Sequence, residues 1–246
     1  MHIKGLLFDI NGTLTDIKTD EGYEDIYRTL SNLLSYQGII IDAKTLKSQY
    51  FQIMDKQLAA SETRHPEFDA VAIFAEILGL QATAYTQQLA PEKLQMLPLF
   101  LAETFRAASR FRLQLYPGVA ETIKQLHDRY RLAIVSDGQT AYARPELNAV
   151  ELSQYFNPVI ISGDFGYRKP DKRLFRKALT ALAMTPDEVL FIGNDMYRDV
   201  HGPRKLGIRT VFFRSNQGQQ EKEGVQPDYI IHSFPELLDA IAYFER

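Results

Sequence analysis

Residues 3–13 read IKGLLFDINGT and combine an apolar run with a polar end. Its first part, residues 3–8, is an apolar run that stops abruptly at Asp9 and passes into a polar segment. Such a run predicts a buried strand of a parallel sheet. Chemistry in such sheets is often found where the strands end, so we expect a functional role for Asp9.

Beyond residue 113 the sequence alternates between helix and strand patterns. Further strands are predicted at residues 132–135, 159–161, 189–192, 210–213 and 229–231. Helices are predicted from 119 to about 129 and at residues 145–155, 173–183, 200–206 and 235–244. This alternation indicates right-handed βαβ units, and therefore an α/β fold with a Rossmann-like, mostly parallel sheet.

The intervening residues have a different pattern. Apolar residues recur there at spacings of three and four, which predicts helices at residues 23–36, 43–60, 68–78 and 90–109. A length of 246 residues exceeds the roughly 150 typical of one domain. We therefore expect a core domain of residues 1–15 and 113–246, with an inserted helical domain of residues 16–112.

Composition excludes several classes of protein. A content of 45% hydrophobic and 24% charged residues is typical of a globular protein. A net charge of −3 provides no overall positive potential that would attract nucleic acid. The chain has no cysteine, which excludes thiolate catalysis and Cys-ligated metals. No apolar stretch approaches the ~20 residues of a membrane span. We expect a cytoplasmic protein that binds neither nucleic acid nor membranes, and the sequence leaves its oligomeric state open.

Four short polar segments lie at predicted strand ends or helix starts. They read FDINGTLTD (8–16), IVSDG (134–138), GYRKP (166–170) and FIGNDMYRD (191–199). Because the carboxyl ends of parallel strands meet at one edge of the sheet, their acidic groups, hydroxyl and lysine should line one crevice. This combination of groups suggests phosphoryl transfer.

In order and composition the four segments resemble the motifs of the haloacid dehalogenase superfamily, in its phosphatase-like branch. The helical insertion is similar to the cap domain of that family, and the phrases YPGV (116–119) and GPRKLG (202–207) also agree. The resemblance implies a hydrolase that acts on a small phosphorylated molecule and uses Mg²⁺ as its cofactor. The substrate itself is not implied.

The resemblance also implies roles for individual residues. Asp9 would be the nucleophile, which divides one displacement into two through an aspartyl phosphate. Ser136 and the main chain at Asp137 and Gly138 would bind the phosphoryl oxygens. Lys169 would supply a fixed positive charge to both Asp9 and the phosphate.

The implied metal site comprises Asp9, the main-chain carbonyl of Asn11 and the acidic fourth segment. Where the family usually has an aspartate, this chain has Asn194, followed at once by Asp195. Either Asn194 or Asp195 could be the ligand, with Asp199 as a partner further out. The charge of its carboxylate favours Asp195.

A second departure concerns proton transfer. Phosphatases of the family usually carry an aspartate two residues after the nucleophile, as general acid and base, whereas this chain has Asn11. General acid–base catalysis typically increases the reaction rate by about 10²- to 10⁴-fold, and an amide cannot perform it. We therefore expect slow turnover of ordinary phosphate esters, unless the leaving group needs no proton or another residue substitutes.

Two alternatives follow from these departures. One is a hydrolase like the 2-haloacid dehalogenases, in which the aspartate attacks carbon and needs neither the second aspartate nor Mg²⁺. The acidic pair Asp195 and Asp199 favours a cation and argues against it. The other is a catalytically weak protein that binds a phosphorylated ligand.

Overall fold

A computed structural model describes residues 2–246 of the chain. Contacts divide the chain into two compact units. The first unit contains the chain up to Ile17 together with Leu113–Arg246, and the second unit is Lys18–Arg112. The domain boundaries expected from the sequence, after residues 15 and 112, lie close to these divisions.

The first unit is built on a six-stranded sheet, and all its neighbouring strand pairs are parallel. The strands of the chain are β1 (Gly5–Phe8), β2 (Thr15–Thr19), β3 (Arg110–Leu115), β4 (Arg131–Ser136), β5 (Val159–Ile161), β6 (Val189–Gly193), β7 (Arg209–Phe213) and β8 (Tyr229–Ile231). Their order in the sheet is β5-β4-β1-β6-β7-β8, and β2 pairs with β3 in a separate two-stranded ribbon. The predicted α/β class with a mostly parallel sheet is thus confirmed.

The second unit is mainly helical. Its helices are α1 (Glu24–Ser35), α2 (Ala43–Ala60), α3 (Ala70–Gln81), α4 (Ala84–Gln87) and α5 (Pro91–Ser109). Phe105 of α5 lies at the centre of its aromatic core, stacked on Tyr50 of α2 with ring centroids 4.5 Å apart. Tyr27 and Phe74 pack edge-on against the same ring. Apolar residues at helical spacing therefore form the interior of this unit.

Helices cover both faces of the sheet in the first unit. They are α6 (Val119–His127), α7 (Thr140–Ala149), α8 (Lys172–Leu182), the short α9 (Gly202–Arg204) and α10 (Leu237–Glu245). Leu6 and Phe8 of β1 belong to one apolar cluster, with residues of α6, α7 and α10. Leu7 between them belongs to another, with residues of α8. Alternate side chains of a strand thus fill two layers of core. In the described part of the chain, no helix is long and apolar enough to cross a membrane.

Sheet register places the polar segments together. Phe8 is in register with Ile134 of β4 and with Ile192 of β6. The next residues along these three neighbouring strands lead to Asp9, to Ser136 and to the fourth segment. Because the strands run in parallel, all three leave the sheet at the same edge.

Candidate active site

Asp9 is buried directly after β1, and its two carboxylate oxygens have different surroundings. Oδ1 accepts hydrogen bonds from Ser136 Oγ at 2.8 Å and from Lys169 Nζ at 2.7 Å. Oδ2 accepts only a long hydrogen bond, of 3.4 Å, from the hydroxyl of Thr13. The first oxygen is therefore fixed by two donors, while the second remains the weakly held one.

Lys169 is buried between two carboxylates. Its Nζ lies 2.7 Å from Oδ1 of Asp9 and 2.7 Å from Oδ1 of Asp199. Burial alone would lower the pKa of Lys169, but the charges of Asp199 and Asp9 outweigh it and raise this pKa. The main-chain N–H of Lys169 donates to Oδ1 of Asp137 at 2.8 Å, which fixes its backbone. The lysine is thus a permanent positive charge beside Asp9.

Asp199 uses both of its oxygens inside the protein. Oδ1 binds Lys169, and Oδ2 accepts the main-chain N–H groups of Asn194 and Asp195, each at 3.1 Å. Burial raises the pKa of Asp199 to about 7, although Lys169 acts in the opposite direction. A Cβ at Gly193 would lie 2.3 Å from Cβ of Asp199, so glycine there permits this approach. Asp199 therefore holds the lysine and the loop after β6.

Asp195 is the cap of the π-helical segment Met196–His201. Its Oδ1 accepts the main-chain N–H groups of Tyr197 and Arg198 at 3.0 and 2.8 Å. Its Oδ2 accepts from the guanidinium of Arg198 at 2.9 Å and from the N–H of Gln219 at 3.0 Å. Burial acts to raise the pKa of Asp195, but Arg198 and the N–H donors outweigh it and lower the pKa. Both carboxylate oxygens are therefore engaged in a structural role.

Asn194 is the residue of the fourth segment that contacts the loop after β1. The hydroxyl of Thr13 donates to Oδ1 of Asn194 at 3.0 Å and also approaches Oδ2 of Asp9. Gly12 has a φ of +86°, and a Cβ there would lie 2.1 Å from Nδ2 of Asn194. The weakly held oxygen of Asp9 and the amide oxygen of Asn194 thus share one hydroxyl neighbour.

Asn11 lies between the nucleophile and Gly12. Its side-chain Oδ1 accepts the hydroxyl of Thr15 at 3.1 Å. Two main-chain hydrogen bonds form a bridge in this loop: the N–H of Gly12 donates to the carbonyl of Thr15, and the N–H of Thr15 donates to the carbonyl of Ile10. The main-chain carbonyl of Asn11 is outside that bridge, so it remains suitable as a ligand.

Asp137 and Gly138 follow Ser136 at the end of β4. The N–H of Gly138 already donates to Ser162 Oγ at 2.8 Å, so a phosphoryl contact at Gly138 requires that this bond be released. Oδ2 of Asp137 is buried without a hydrogen-bond partner and lies 3.8 Å from a guanidinium nitrogen of Arg198. Burial raises the pKa of Asp137 despite the lowering effect of Lys169.

Residues around Asp9 offer oxygen atoms of the kind that bind magnesium. Mg²⁺ takes oxygen ligands, usually one or two carboxylates together with water and substrate phosphate. The carboxylate of Asp9, the amide oxygen of Asn194 and the main-chain carbonyl of Asn11 are oxygens of this kind. Within residues 2–246 no cluster of three or more acidic or histidine side chains is arranged to hold a metal. The remaining ligands would therefore come from water and a bound phosphate.

Direct hydrogen bonds link six of the predicted residues into one cluster: Asp9, Ser136, Lys169, Asp199, Asn194 and Asp195, the last two through their main-chain N–H groups. Asp137 joins it through the backbone of Lys169, whereas the N–H of Gly138 binds Ser162. Sequence reasoning assigned no role to Thr13 and Arg198, although both lie within the quoted segments. Ser162 and Gln219 lie outside them, and no pattern in the sequence marks them.

Comparison with known proteins identifies the family. The profile of the haloacid dehalogenase-like hydrolases matches residues 3–207. A glyceraldehyde 3-phosphate phosphatase of Pyrococcus furiosus is 30% identical over 132 residues, which cover 52% of this chain and 55% of that enzyme. This chain thus spans about half the length of that relative. The pyrophosphatase PpaX of Halalkalibacterium halodurans is 26% identical over 216 residues, which cover 87% of this chain and 97% of that enzyme.

Solved structures agree on the fold. The 2-haloacid dehalogenase of Pseudomonas syringae pv. Tomato superposes with a TM-score of 0.69 at 19% identity, covering 98% of this chain and 99% of that one. At this identity the likeness concerns the fold alone. From its sequence profile and its fold together, the chain belongs to the haloacid dehalogenase-like hydrolase family.

Proposed function

We propose that this protein is a Mg²⁺-dependent phosphohydrolase that transfers the phosphoryl group of a small phosphorylated molecule to Asp9 and then to water. The observation that carries this proposal is the divided environment of the Asp9 carboxylate. Ser136 and Lys169 hold Oδ1, which leaves Oδ2 as the nucleophilic atom. The names of its relatives, a phosphatase and a pyrophosphatase, support the same chemistry.

The residues of the cluster have separate tasks in this proposal. Oδ2 of Asp9 attacks phosphorus, and covalent catalysis then divides the hydrolysis into two steps. Lys169 stabilises the ionised carboxylate and the charge that develops on the phosphoryl oxygens, and Ser136 donates to the same region. Mg²⁺, bound by Asp9, Asn194 and the Asn11 carbonyl, would reduce the repulsion between carboxylate and phosphate. Asp195 and Asp199 maintain the loops that present these groups.

The helical unit Lys18–Arg112 is proposed as a cap that selects the substrate. The resemblance to capped hydrolases of the family supports this assignment. A cap would exclude water and contribute specificity residues, while the chemistry belongs to the first unit. The substrate is therefore expected to be small.

A panel of phosphate compounds, assayed with and without Mg²⁺, tests the proposal. We expect turnover that requires Mg²⁺ and falls by more than about 10³-fold in Asp9→Asn, because the amide cannot act as the nucleophile. Asp187→Asn, which changes an exposed aspartate of the same unit, is the matched control and should behave as wild type. Equal activity of Asp9→Asn and wild type contradicts the proposal. Binding of phosphate without turnover of any compound would instead identify a binding protein.

A dehalogenase-like activity is the second candidate, and one structural observation favours it. The acidic pair Asp195 and Asp199 was expected to bind a cation, but both carboxylates are engaged in hydrogen bonds within the protein. Asn11 is also compatible with attack on carbon, since that reaction needs no second aspartate. Halide release from a 2-chloro acid in the presence of a chelator would identify this activity.

A further inference from the structure

The side chain of Asn11 can donate a hydrogen bond but cannot transfer a proton. Its Oδ1 accepts the hydroxyl of Thr15, which leaves the amide N–H groups as the donors of this side chain. An alkyl phosphate releases a strongly basic oxygen, which normally takes a proton from a general acid as it leaves. The chain therefore needs either another acid or a leaving group that requires none.

The two carboxyl groups of the fourth segment are not available as that acid. Asp199 binds Lys169 through one oxygen and two main-chain N–H groups through the other. Asp195 accepts four hydrogen bonds, two at each of its carboxylate oxygens. Both carboxyl groups are acceptors that hold structure.

The remaining carboxyl groups near the nucleophile loop are also committed. Asp137 accepts the N–H of Lys169 through Oδ1, and its Oδ2 is inaccessible to solvent. Asp16 accepts from the side chains of Gln217 at 2.8 Å and Gln114 at 3.4 Å. None of the four carboxyl groups can thus replace an aspartate at position 11.

We propose that the phosphoryl donor is an anhydride of phosphoric acid, either a phosphoanhydride or an acyl phosphate. This inference rests on the phosphohydrolase function proposed above. The leaving group is then phosphate or a carboxylate, a weak base that is stable as an anion. Asn11 stabilises its departing oxygen by donating a hydrogen bond.

Both chemical steps balance without a general acid. As the bond from Asp9 Oδ2 to phosphorus forms, the bond from phosphorus to the bridging oxygen breaks, and that oxygen leaves with the electron pair. In the second step water attacks phosphorus, the Asp9–phosphorus bond breaks, and the water proton passes to the phosphate product or to buffer. Because this second step has no carboxylate base, phosphorylated Asp9 accumulates.

The test compares kcat/KM for acetyl phosphate, pyrophosphate, an aryl phosphate and glycerol phosphate, all with Mg²⁺. For the wild type we expect the better anhydride to exceed the alkyl ester by about 10²- to 10⁴-fold, together with a burst of phosphorylated enzyme in quenched reactions. Asn11→Asp should reduce this ratio towards one, because it restores the acid for the alkyl ester. Asn148→Asp, the same change on the exposed surface of α7, should keep the wild-type ratio.

The outcomes separate this inference from the function on which it rests. Equal wild-type rates on glycerol phosphate and both anhydrides overturn the inference and leave a phosphohydrolase. If no compound is hydrolysed and none phosphorylates Asp9, the proposed function itself fails. The absence of a burst overturns the inference even where Asn11→Asp does not fold. Preference for pyrophosphate or for acetyl phosphate then identifies the type of anhydride.

Discussion

Lys169 neutralises two buried carboxylates at once, since its Nζ lies 2.7 Å from Asp9 and 2.7 Å from Asp199. Lys169→Met keeps the length of the side chain and removes its charge. Breaking a buried ion pair from one side typically costs about 3–5 kcal/mol of stability. We therefore expect a loss of this size in urea unfolding, as well as loss of turnover.

The burial of all three charged groups is the physical reason for expecting both effects. Lys124→Met on the exposed face of α6 is the control and should change neither. A Lys169→Met protein as stable as the wild type would show that the carboxylates find another partner.

Gly12 and Gly207 allow a test of the close approach between the nucleophile loop and Asn194. Both have positive φ angles, +86° and +82°, so alanine at either position should cost about 1–2 kcal/mol of stability. A Cβ at Gly12 would also collide with Asn194, whereas one at Gly207 meets no atom within 4 Å. We expect kcat/KM to fall more than tenfold in Gly12→Ala only. Similar activities of the two variants would refute a role for this contact.

At the scale of elements, the π-helical segment Met196–His201 depends on the cap formed by Asp195. Asp195→Ala removes acceptors for the N–H groups of Tyr197 and Arg198, so stability at pH 7 should fall by about 0.5–2 kcal/mol. Because folding lowers the pKa of Asp195, its ionised form stabilises the protein above the ordinary aspartate pKa of about 3.9. This stabilisation is lost as the pH falls through the lowered pKa.

Urea unfolding of wild type and Asp195→Ala from pH 7 downwards measures this effect. The difference in stability should shrink below pH ~4, where Asp195 of the unfolded chain takes up a proton, and it should vanish once the pH is below the lowered pKa of the folded protein. Calorimetric titration of Mg²⁺ in the presence of phosphate should give similar affinities for both proteins. A large loss of Mg²⁺ affinity would instead identify Asp195 as the metal ligand that its charge suggested.

Some elements followed from local patterns and others did not. The strands predicted at residues 159–161 and 229–231 match β5 and β8. Each is a short apolar run between polar residues, a pattern typical of a buried strand. The helix predicted at residues 145–155 is instead α7, Thr140–Ala149, with a separate 3₁₀ turn at Ser153–Tyr155. Proline is favoured at the start of a helix, but here Pro145 lies inside one.

The fourth segment was the hardest part of the site to predict. A helix was expected from residue 200, whereas the π-helical segment already begins at Met196. Its hydrogen bonds depend on contacts with Gln219, which is distant in sequence. Charge alone pointed to Asp195 as a ligand, but the cap takes up its oxygens and leaves Asn194 beside Thr13. Local sequence carries no information about such a contact.

At the scale of the whole molecule, the chain has two units, each with a core of its own. Phe105 is fully buried in the aromatic core of the helical unit, whereas Phe100 on the same helix is 51% exposed. Phe105→Ala should destabilise this unit by about 3–5 kcal/mol, because it leaves a large cavity. We expect faster proteolysis within residues 18–112, while Phe100→Ala should be cleaved like the wild type. Equal cleavage of both variants would show that the aromatic cluster contributes little.

The sequence predicts an inserted helical domain because the spacing of apolar residues changes near residues 15 and 113. Helical spacing between residues 23 and 109 contrasts with the strand–helix alternation on either side. The ribbon of β2 and β3 was not predicted, since its short strands have no long apolar run. The apolar strands of the sheet and the long helices were therefore predictable, whereas this ribbon was not.

Covalent phosphorylation of Asp9 can be measured by mass spectrometry of the quenched protein. Wild-type protein would be mixed with acetyl phosphate and Mg²⁺, quenched in acid during turnover, and digested for mapping. We expect one added phosphoryl group per chain, located on the peptide that contains Asp9 and absent in Asp9→Asn. An unmodified wild-type protein under conditions of measurable turnover, or a phosphoryl group on another residue, would contradict it.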